Sequence, residues 1–230
     1  MTEADWWKST EPMLRLKFVE DSGKLSERKA RLFAVAVCRR IWHLLTDERS
    51  RYAVELSEQY ADAPFSEEKL DLASAAAEEA FEDALTDNEG RAVADDDPGP
   101  VAAEAASYAS SPGPLEVERH LSVVARSAAE AAPGEPGHQV HLLRDIFGVS
   151  PQIDRAWLSM NGGTVKRLAE DAYEHRILPA GTLDADRLAV LADALEEAGC
   201  TDPDILGHLR QQGAVHVRGC FILDALLGMR

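Results

Sequence analysis

The chain has 230 residues, of which 45% are hydrophobic and 28% are charged, and its net charge at neutral pH is −17. No run approaches the roughly 18 consecutive apolar residues of a membrane span, and the first residues lack the basic patch and apolar stretch of a secretory signal. Three widely spaced cysteines do not make a disulfide framework. These properties argue against a membrane protein or a disulfide-rich secreted domain, and they predict an acidic, cytoplasmic protein with no membrane partner.

Negative charge is concentrated in the middle of the chain. Residues 61–137 hold 4 Lys/Arg and 18 Asp/Glu, whereas residues 1–60 hold 11 and 10 of these types. The same middle contains clustered proline and glycine at 98–100 and at 133–137, and such clusters interrupt helices. Blocks of like charge also resist compaction. We therefore expect breaks in the helical structure within this part of the chain.

These breaks divide the sequence into two regions. We predict an N-terminal helical region over residues 1–137, with a mobile acidic loop near 87–100, and a C-terminal helical region over residues 138–230. Residues 133–137 form the predicted hinge between them. The alternative, one continuous domain, stays open from the sequence alone.

Helical periodicity extends over most of the chain, and no segment has the strict alternation of a β-strand. Residues that favour N-caps precede several apolar stripes; Ser26, for example, precedes the stripe that contains Phe33 and Val37. The predicted helices span roughly 26–45, 47–61, 66–85, 114–132, 138–147, 165–177, 184–198, 203–212 and 221–227. Because short turns join them, the sequence predicts an all-α fold, either a helical bundle or a short stack of αα-hairpins.

A candidate metal site lies near the C-terminus, at Cys200, His208, His216 and Cys220. His216 and Cys220 are spaced i, i+4, which would place both on one face of a helix. The other intervals are longer than the short ligand knuckles of structural zinc sites. Gly219 before Cys220, and apolar residues after it, favour a small buried cysteine instead. A small metal-binding protein or enzyme is therefore kept as the alternative function, and no cofactor is expected.

The remaining motifs give no catalytic residue. Arg39 and Arg40 beside Trp42 are typical of a nucleic-acid contact, but adjacent arginines on an amphipathic helix usually form its solvated face. Residues 1–60 carry too little excess positive charge to attract phosphates, so nucleic-acid binding is not expected. Acidic pairs lie on polar helix faces, and no hydrolase, zinc-protease or nucleotide-binding motif occurs. The sequence therefore favours a protein that is not an enzyme.

Arg218 is a candidate binding residue because it precedes the last helix, where a positive charge opposes the helix dipole. A carboxylate partner is expected, and the candidates are Asp145, Asp193 and Asp224. One interpretation is an ionic tie that holds the last helix onto the bundle. The other is a recognition patch for an acidic group of a partner, formed by Arg144, Trp157 and Arg218.

Several phrases resemble those of a known family. These are HLLRDIFG at 141–148, AWLSMNGGTVKRLAEDAYEHR at 156–176, LADALEEAGC at 191–200 and HVRGC at 216–220. They are similar to phrases in a family of uncharacterised bacterial proteins that is numerous in planctomycete genomes, and residues 32–62 are similar to its opening segment. After Gly148, VSPQID departs from the longer proline-containing phrase of the family. The resemblance implies one recurring folded unit and transfers no catalytic residue.

The expected function is a non-enzymatic helical interaction or regulatory module that binds another, unidentified protein. The expectation depends on helices throughout, amphipathic surfaces and the lack of a catalytic motif. Cys38, His43 and Cys220 are expected to be buried, because each falls within an apolar helical stretch.

Overall fold

The structure is a computed structural model that describes residues 2–63, 66–86, 89–149, 151–211 and 213–229, with the backbone alone at 114–118. The chain divides into two compact units, Met1–Leu143 and Arg144–Arg230, and the division falls within a helix. The sequence places the boundary between 137 and 138, a few residues earlier.

The all-α prediction is confirmed, and in the described ranges the secondary structure is helical, with isolated bridges in place of strands. The helices of the first part are α1 (Glu3–Lys8), α2 (Pro12–Asp21), α3 (Glu27–Arg40), α4 (Glu48–Asp62), α5 (Glu67–Ala84), α6 (Pro98–Ala109), α7 (Pro114–Ala131) and α8 (Glu135–Phe147). The helices that follow are α9 (Arg155–Ser159), α10 (Thr164–Glu174), α11 (Ala185–Glu197), α12 (Pro203–Leu209) and α13 (Phe221–Leu227), with a 3-10 turn at Met160–Gly162. None of the described helices has the length and apolar character that crossing a membrane requires.

The N-terminal unit is built around α3, which packs against α4, α6 and α7. Its start is fixed locally, because the Ser26 hydroxyl accepts a hydrogen bond from the Lys29 amide at 3.4 Å. Helices α5, α6 and α7 meet through small side chains, which allow close approach of their backbones. The buried alanines of these three helices include Ala73, Ala77, Ala80, Ala102, Ala105, Ala106, Ala109 and Ala128.

Buried arginines tie this unit together. Arg31 is fully buried and donates to the Ser111 carbonyl at 2.9 Å, and the Ser57 hydroxyl donates to the Ala109 carbonyl at 2.8 Å. Arg39 pairs with Glu58, and both side chains are almost fully buried. Each guanidinium therefore meets an acceptor in the interior, as a buried charge requires.

Three sequence predictions about this unit are wrong. The segment taken as loop up to residue 100 becomes helical at Pro98, because the Asp97 carboxylate caps the Gly99 amide at 2.8 Å and proline fits the first helical turn. The helix predicted to reach residue 45 ends at Arg40. His43 is consequently exposed, whereas Cys38 is buried as expected. Asp87 and Asn88 lie outside the described residues, and the mobility of the acidic loop stays a prediction.

The C-terminal unit packs α11 between α10 and α12, and α13 against α10. Its core contains Leu188, Leu191 and Leu195 of α11, together with aliphatic residues of α12 and α13. After α10 the chain forms a turn, and Thr182 makes bridges to both Ile177 and Val217. The Leu183 amide donates to the His216 carbonyl at 2.8 Å. This pairing fixes the backbone of the segment between α12 and α13.

Candidate metal centre

Four side chains with metal-ligating atoms meet in the C-terminal unit: Asp145, His208, His216 and Cys220. Asp145 lies in the last turn of α8 and His208 in α12. His216 lies in the connection that follows α12, and Cys220 is the residue just before α13. One ligand atom from each residue lies within 4.8 Å of the others, so four donors from distant parts of the sequence converge on one point.

The distances within the cluster are short. Asp145 Oδ1 lies 2.7 Å from His216 Nδ1 and 3.2 Å from His208 Nε2. The same His208 Nε2 lies 3.2 Å from Cys220 Sγ. A single ring nitrogen thus faces both a carboxylate oxygen and a sulfur atom.

The backbone holds the second carboxylate oxygen. The Val217 amide donates to Asp145 Oδ2 at 2.9 Å, which fixes the carboxylate relative to His216. A turn then brings Cys220 back toward the cluster, because its amide donates to the Val217 carbonyl at 3.0 Å. Gly219 has a φ of 89°, a left-handed conformation that glycine adopts without strain. The turn at 216–220 therefore positions His216 and Cys220, and the Val217 amide in the same turn holds the Asp145 carboxylate.

The cluster is shielded from solvent. Asp145, His216 and Cys220 are buried, and the His208 side chain is 17% exposed. The His208 ring packs against the rings of His216 and Phe221, with centroids 4.5 and 4.6 Å away. Phe221 in turn lies so close to Gly148 that a Cβ at residue 148 would be 2.5 Å from its ring. Aromatic packing therefore covers the donors and excludes bulk water from most of the cluster.

The charges of these groups depend on one another. Burial raises the pKa of the Asp145 carboxyl, but hydrogen bonds and charge from His208 and His216 outweigh burial and lower that pKa to about 2. Burial lowers the pKa of His216, and the contact with Asp145 outweighs it and raises the pKa above its usual value. Burial and the Asp145 charge raise the pKa of the Cys220 thiol well above its usual range. Without another cation, Asp145 is ionised and Cys220 is a neutral thiol.

The donor set suits a tetrahedral zinc ion. Zinc binds thiolate, imidazole and carboxylate at about 2.0–2.3 Å, which places neighbouring ligand atoms roughly 3.2–3.8 Å apart. The measured separations of 2.7 and 3.2 Å, with all four atoms within 4.8 Å, need only small side-chain movements to reach this geometry. Nitrogen and sulfur ligands disfavour magnesium and calcium, which prefer oxygen.

The arrangement does not form a cysteine–histidine–carboxylate catalytic relay. In such a relay one imidazole uses one ring nitrogen for the nucleophile and the other for the carboxylate. His208 instead presents the same nitrogen, Nε2, to both Cys220 and Asp145. In addition, the raised pKa of the Cys220 thiol opposes the thiolate that a nucleophile needs.

The sequence identified three of these donors. His208, His216 and Cys220 belong to the predicted candidate set, but Cys200 does not join them and is buried in the aliphatic core of the unit. The i, i+4 interpretation of His216 and Cys220 is also wrong, because α13 begins only at Phe221 and a turn connects the two residues. Asp145 was considered only as a partner for Arg218. The sequence does contain one signal for Asp145: it is an acidic residue close to the buried apolar residues Leu143 and Ile146.

The three residues of the predicted recognition patch differ in burial: Arg218 is buried, and Arg144 and Trp157 are half-buried. Arg218 is 9% exposed, donates to Glu174 Oε2 at 2.8 Å and lies over the Tyr173 ring. Its observed carboxylate contact is thus on α10, while Asp145 contacts histidines and Asp193 contacts Arg210. Trp157 is half-buried against the core. Recognition by Arg144, Trp157 and Arg218 stays a prediction.

The Arg39 and Arg40 side chains of the N-terminal unit are paired with carboxylates. Arg39 pairs with Glu58, and Arg40 Nε lies 2.8 and 2.9 Å from the two carboxylate oxygens of Glu135. Both guanidinium groups therefore pair with carboxylates of the same unit, and the expectation about nucleic-acid binding stays a prediction.

No protein-family model matches the chain, and neither a curated protein nor a solved structure is similar to it, so the resemblance to a bacterial family stays a prediction.

Proposed function

We propose that the chain is a non-enzymatic helical module that binds another protein, and that a structural zinc ion holds its C-terminal unit together. The observation that carries the zinc part of the proposal is the convergence of Asp145, His208, His216 and Cys220 in a buried cluster. Buried polar groups of this kind need a compensating charge or partner, and a divalent cation satisfies all four lone pairs at once.

Four protein ligands favour a structural role for the metal. Catalytic zinc sites keep one coordination position for water or substrate, whereas structural sites use four protein side chains. Burial of three of the four donors supports the same role, since it leaves little access for a substrate. The proposed zinc ion therefore stabilises the C-terminal unit and takes no part in catalysis.

The cysteines support a reducing compartment for the proposed zinc protein. Cys38, Cys200 and Cys220 are all free and buried. A zinc ligand such as Cys220 binds as the thiolate, which oxidation would remove. A cytoplasmic location is therefore part of the proposal.

Metal analysis tests the zinc site. The full chain is expressed in zinc-supplemented medium, purified without chelator, and measured for metal per chain. We expect one zinc ion per chain in the parent protein and in Cys200→Ser, a matched variant of a buried cysteine outside the cluster. We expect Cys220→Ser and His216→Ala to lose most of the metal.

A cobalt-loaded sample gives a second readout that identifies the ligands. Tetrahedral cobalt with a thiolate ligand has a sulfur-to-metal charge-transfer band, which should disappear in Cys220→Ser and persist in Cys200→Ser. Circular dichroism shows whether each variant is folded. A folded parent protein with metal at trace level would make the cluster a histidine–carboxylate ion pair and overturn the zinc proposal.

A further inference from the structure

A groove of about 390 Å³ lies on the C-terminal unit, away from the four metal-ligating residues. Its lining residues come from α10 and from the start of α11: Leu168, Asp171, Asp184, Asp186, Arg187 and Val190. The volume falls within the range of roughly 300–1,000 Å³ that is common for binding sites. It is large enough to accept a few side chains of a partner segment.

The groove combines aliphatic and acidic groups. Leu168 packs on the core of the unit with its other face, and Val190 is 52% exposed. Three carboxylates line the groove against a single cation, Arg187. Arg187 already pairs with Asp171 and lies 4.0 Å from Asp184, so its charge is largely compensated by the groove itself.

Two further aliphatic side chains of the C-terminal unit are exposed, although neither lines the groove. Ile177 and Leu178, in the turn after α10, are 53% and 59% exposed. Single exposed aliphatic residues are common, but an exposed aliphatic group beside an acidic rim favours a partner that offers both an aliphatic and a basic side chain. The flexible stems of lysine and arginine can cover Val190 while their charges reach the carboxylates.

We propose that this groove binds a basic, aliphatic segment of a partner protein, in which lysine or arginine alternates with leucine, isoleucine or valine. The charge complementarity comes from the excess of three carboxylates over one guanidinium, with Asp186 outside the ion pairs of Arg187, and the apolar contact comes from Leu168 and Val190. The proposal rests on the protein-binding function proposed above and is independent of zinc.

Synthetic peptides test the groove. Two peptides of equal length and equal aliphatic content are compared on the zinc-loaded full chain, one with lysine and arginine and one with glutamate. The ionic strength is about 0.15 M, at which exposed charges more than about 8 Å apart are largely screened. We expect the basic peptide to bind at least about tenfold more tightly, a difference of ~1.4 kcal/mol. Backbone amide NMR shifts should map to α10 and α11.

Matched variants separate the groove from general attraction to an acidic protein. Val190→Ser should weaken binding of the basic peptide by about tenfold, because it removes the aliphatic contact and adds no charge to the groove. Leu72→Ser makes the same kind of change at an aliphatic residue of α5 that is 67% exposed, and it should leave the affinity nearly unchanged. Equal losses in both variants, or equal binding of the acidic peptide, would overturn the proposal.

The remaining outcomes show whether a failure concerns this groove alone or the proposed protein-binding function as well. Shifts that map to another surface would overturn the groove and leave protein binding intact. Arginine amide that saturates the same amides as tightly as the peptide would reassign the groove to a small cation. Absence of peptide binding would overturn the groove, and cross-linking of the full chain in its own cells would separately decide whether it holds a protein partner.

Discussion

In the N-terminal unit, buried Glu58 and Glu135 are paired with arginines of the same chain, whereas the buried Asp145 carboxylate of the C-terminal unit faces two histidines and a thiol. Glu58 and Glu135 meet Arg39 and Arg40, which are permanently charged. Asp145, in the described part of the chain, has histidine but no lysine or arginine as an ion-pair partner. The first unit thus carries matched charges, while the second assembles lone-pair donors that a proton or a metal ion must complete.

We expect the largest fall in the free energy of unfolding when one residue of a buried ion pair in the N-terminal unit is removed. Arg39→Ala leaves Glu58 buried without its cation, and loss of one partner of a buried ion pair costs about 3–5 kcal/mol. The double variant Arg39→Met with Glu58→Leu removes both charges and should recover most of the stability. Denaturant unfolding measures the free energies; a double variant as unstable as Arg39→Ala would show that the pair does more than balance charge.

Removing the metal should have the next largest effect, and only on the C-terminal unit. A ligand present at 100 times its Kd stabilises the folded state by about 2.7 kcal/mol. We therefore expect chelator to lower the Tm of the C-terminal unit by several degrees and zinc to restore it. Hydrogen exchange resolved by peptide assigns the change to a unit; equal loss of protection in both units would contradict the comparison.

Loosening the aromatic packing over the four candidate metal ligands tests the C-terminal unit without changing any of the ligands. Gly148→Ala places a methyl group against the Phe221 ring and the Arg144 carbonyl, where overpacking costs roughly 1–3 kcal/mol. We expect lower stability and faster zinc release to a competing chelator. Gly137→Ala is the matched control, because nothing lies within 4 Å of a Cβ at that position. Equal zinc release from both variants would show that Phe221 does not cover the site.

The pH dependence gives a smaller and more diagnostic effect. In metal-free protein the lowered pKa of Asp145, about 2, stabilises the fold above the unfolded value near 4, and this contribution is lost as the pH falls toward 2. The raised pKa of His216 stabilises the fold below about 6.5, and this contribution is lost as the pH rises through the folded value. The pair should therefore contribute most between these limits.

Bound zinc should change this pH dependence. Its ligands must lose their protons to bind, so the zinc-loaded protein gains stability as the pH rises toward neutrality. Urea unfolding over a pH series, with chelator and with zinc, measures both curves. Curves that stay parallel throughout would contradict metal binding at these residues.

Much of the fold could be predicted from the sequence because its signals are local. The Asp47, Asp184 and Asp202 side chains cap the helices that follow them, and aspartate is among the residues that favour this position. Helix α6 was missed because Pro98 and Pro100 were interpreted as helix breakers, whereas the first proline occupies the first helical turn after an aspartate cap.

The candidate site was less predictable because its central residue is distant in sequence. Asp145 is 71 residues from His216, and nothing in local spacing relates them. His216 and Cys220 were noticed from their spacing, yet a turn at Gly219 brings them together, not a shared helix face. By residue type and by its place in the sequence, Cys200 is as good a candidate ligand as Cys220. Only its packing in the core of the unit separates it from the cluster.

The alanine contacts among α5, α6 and α7 determine which mutations this part of the protein can accept. Ala77, Ala105 and Ala106 are completely buried, so no space remains into which a larger side chain could grow. Substitution by a smaller residue removes little buried surface there, because the alanine side chain is a single methyl group. Random substitution should therefore destabilise these helices by adding volume, and we expect only residues of similar size, such as glycine and serine, to be tolerated at these positions.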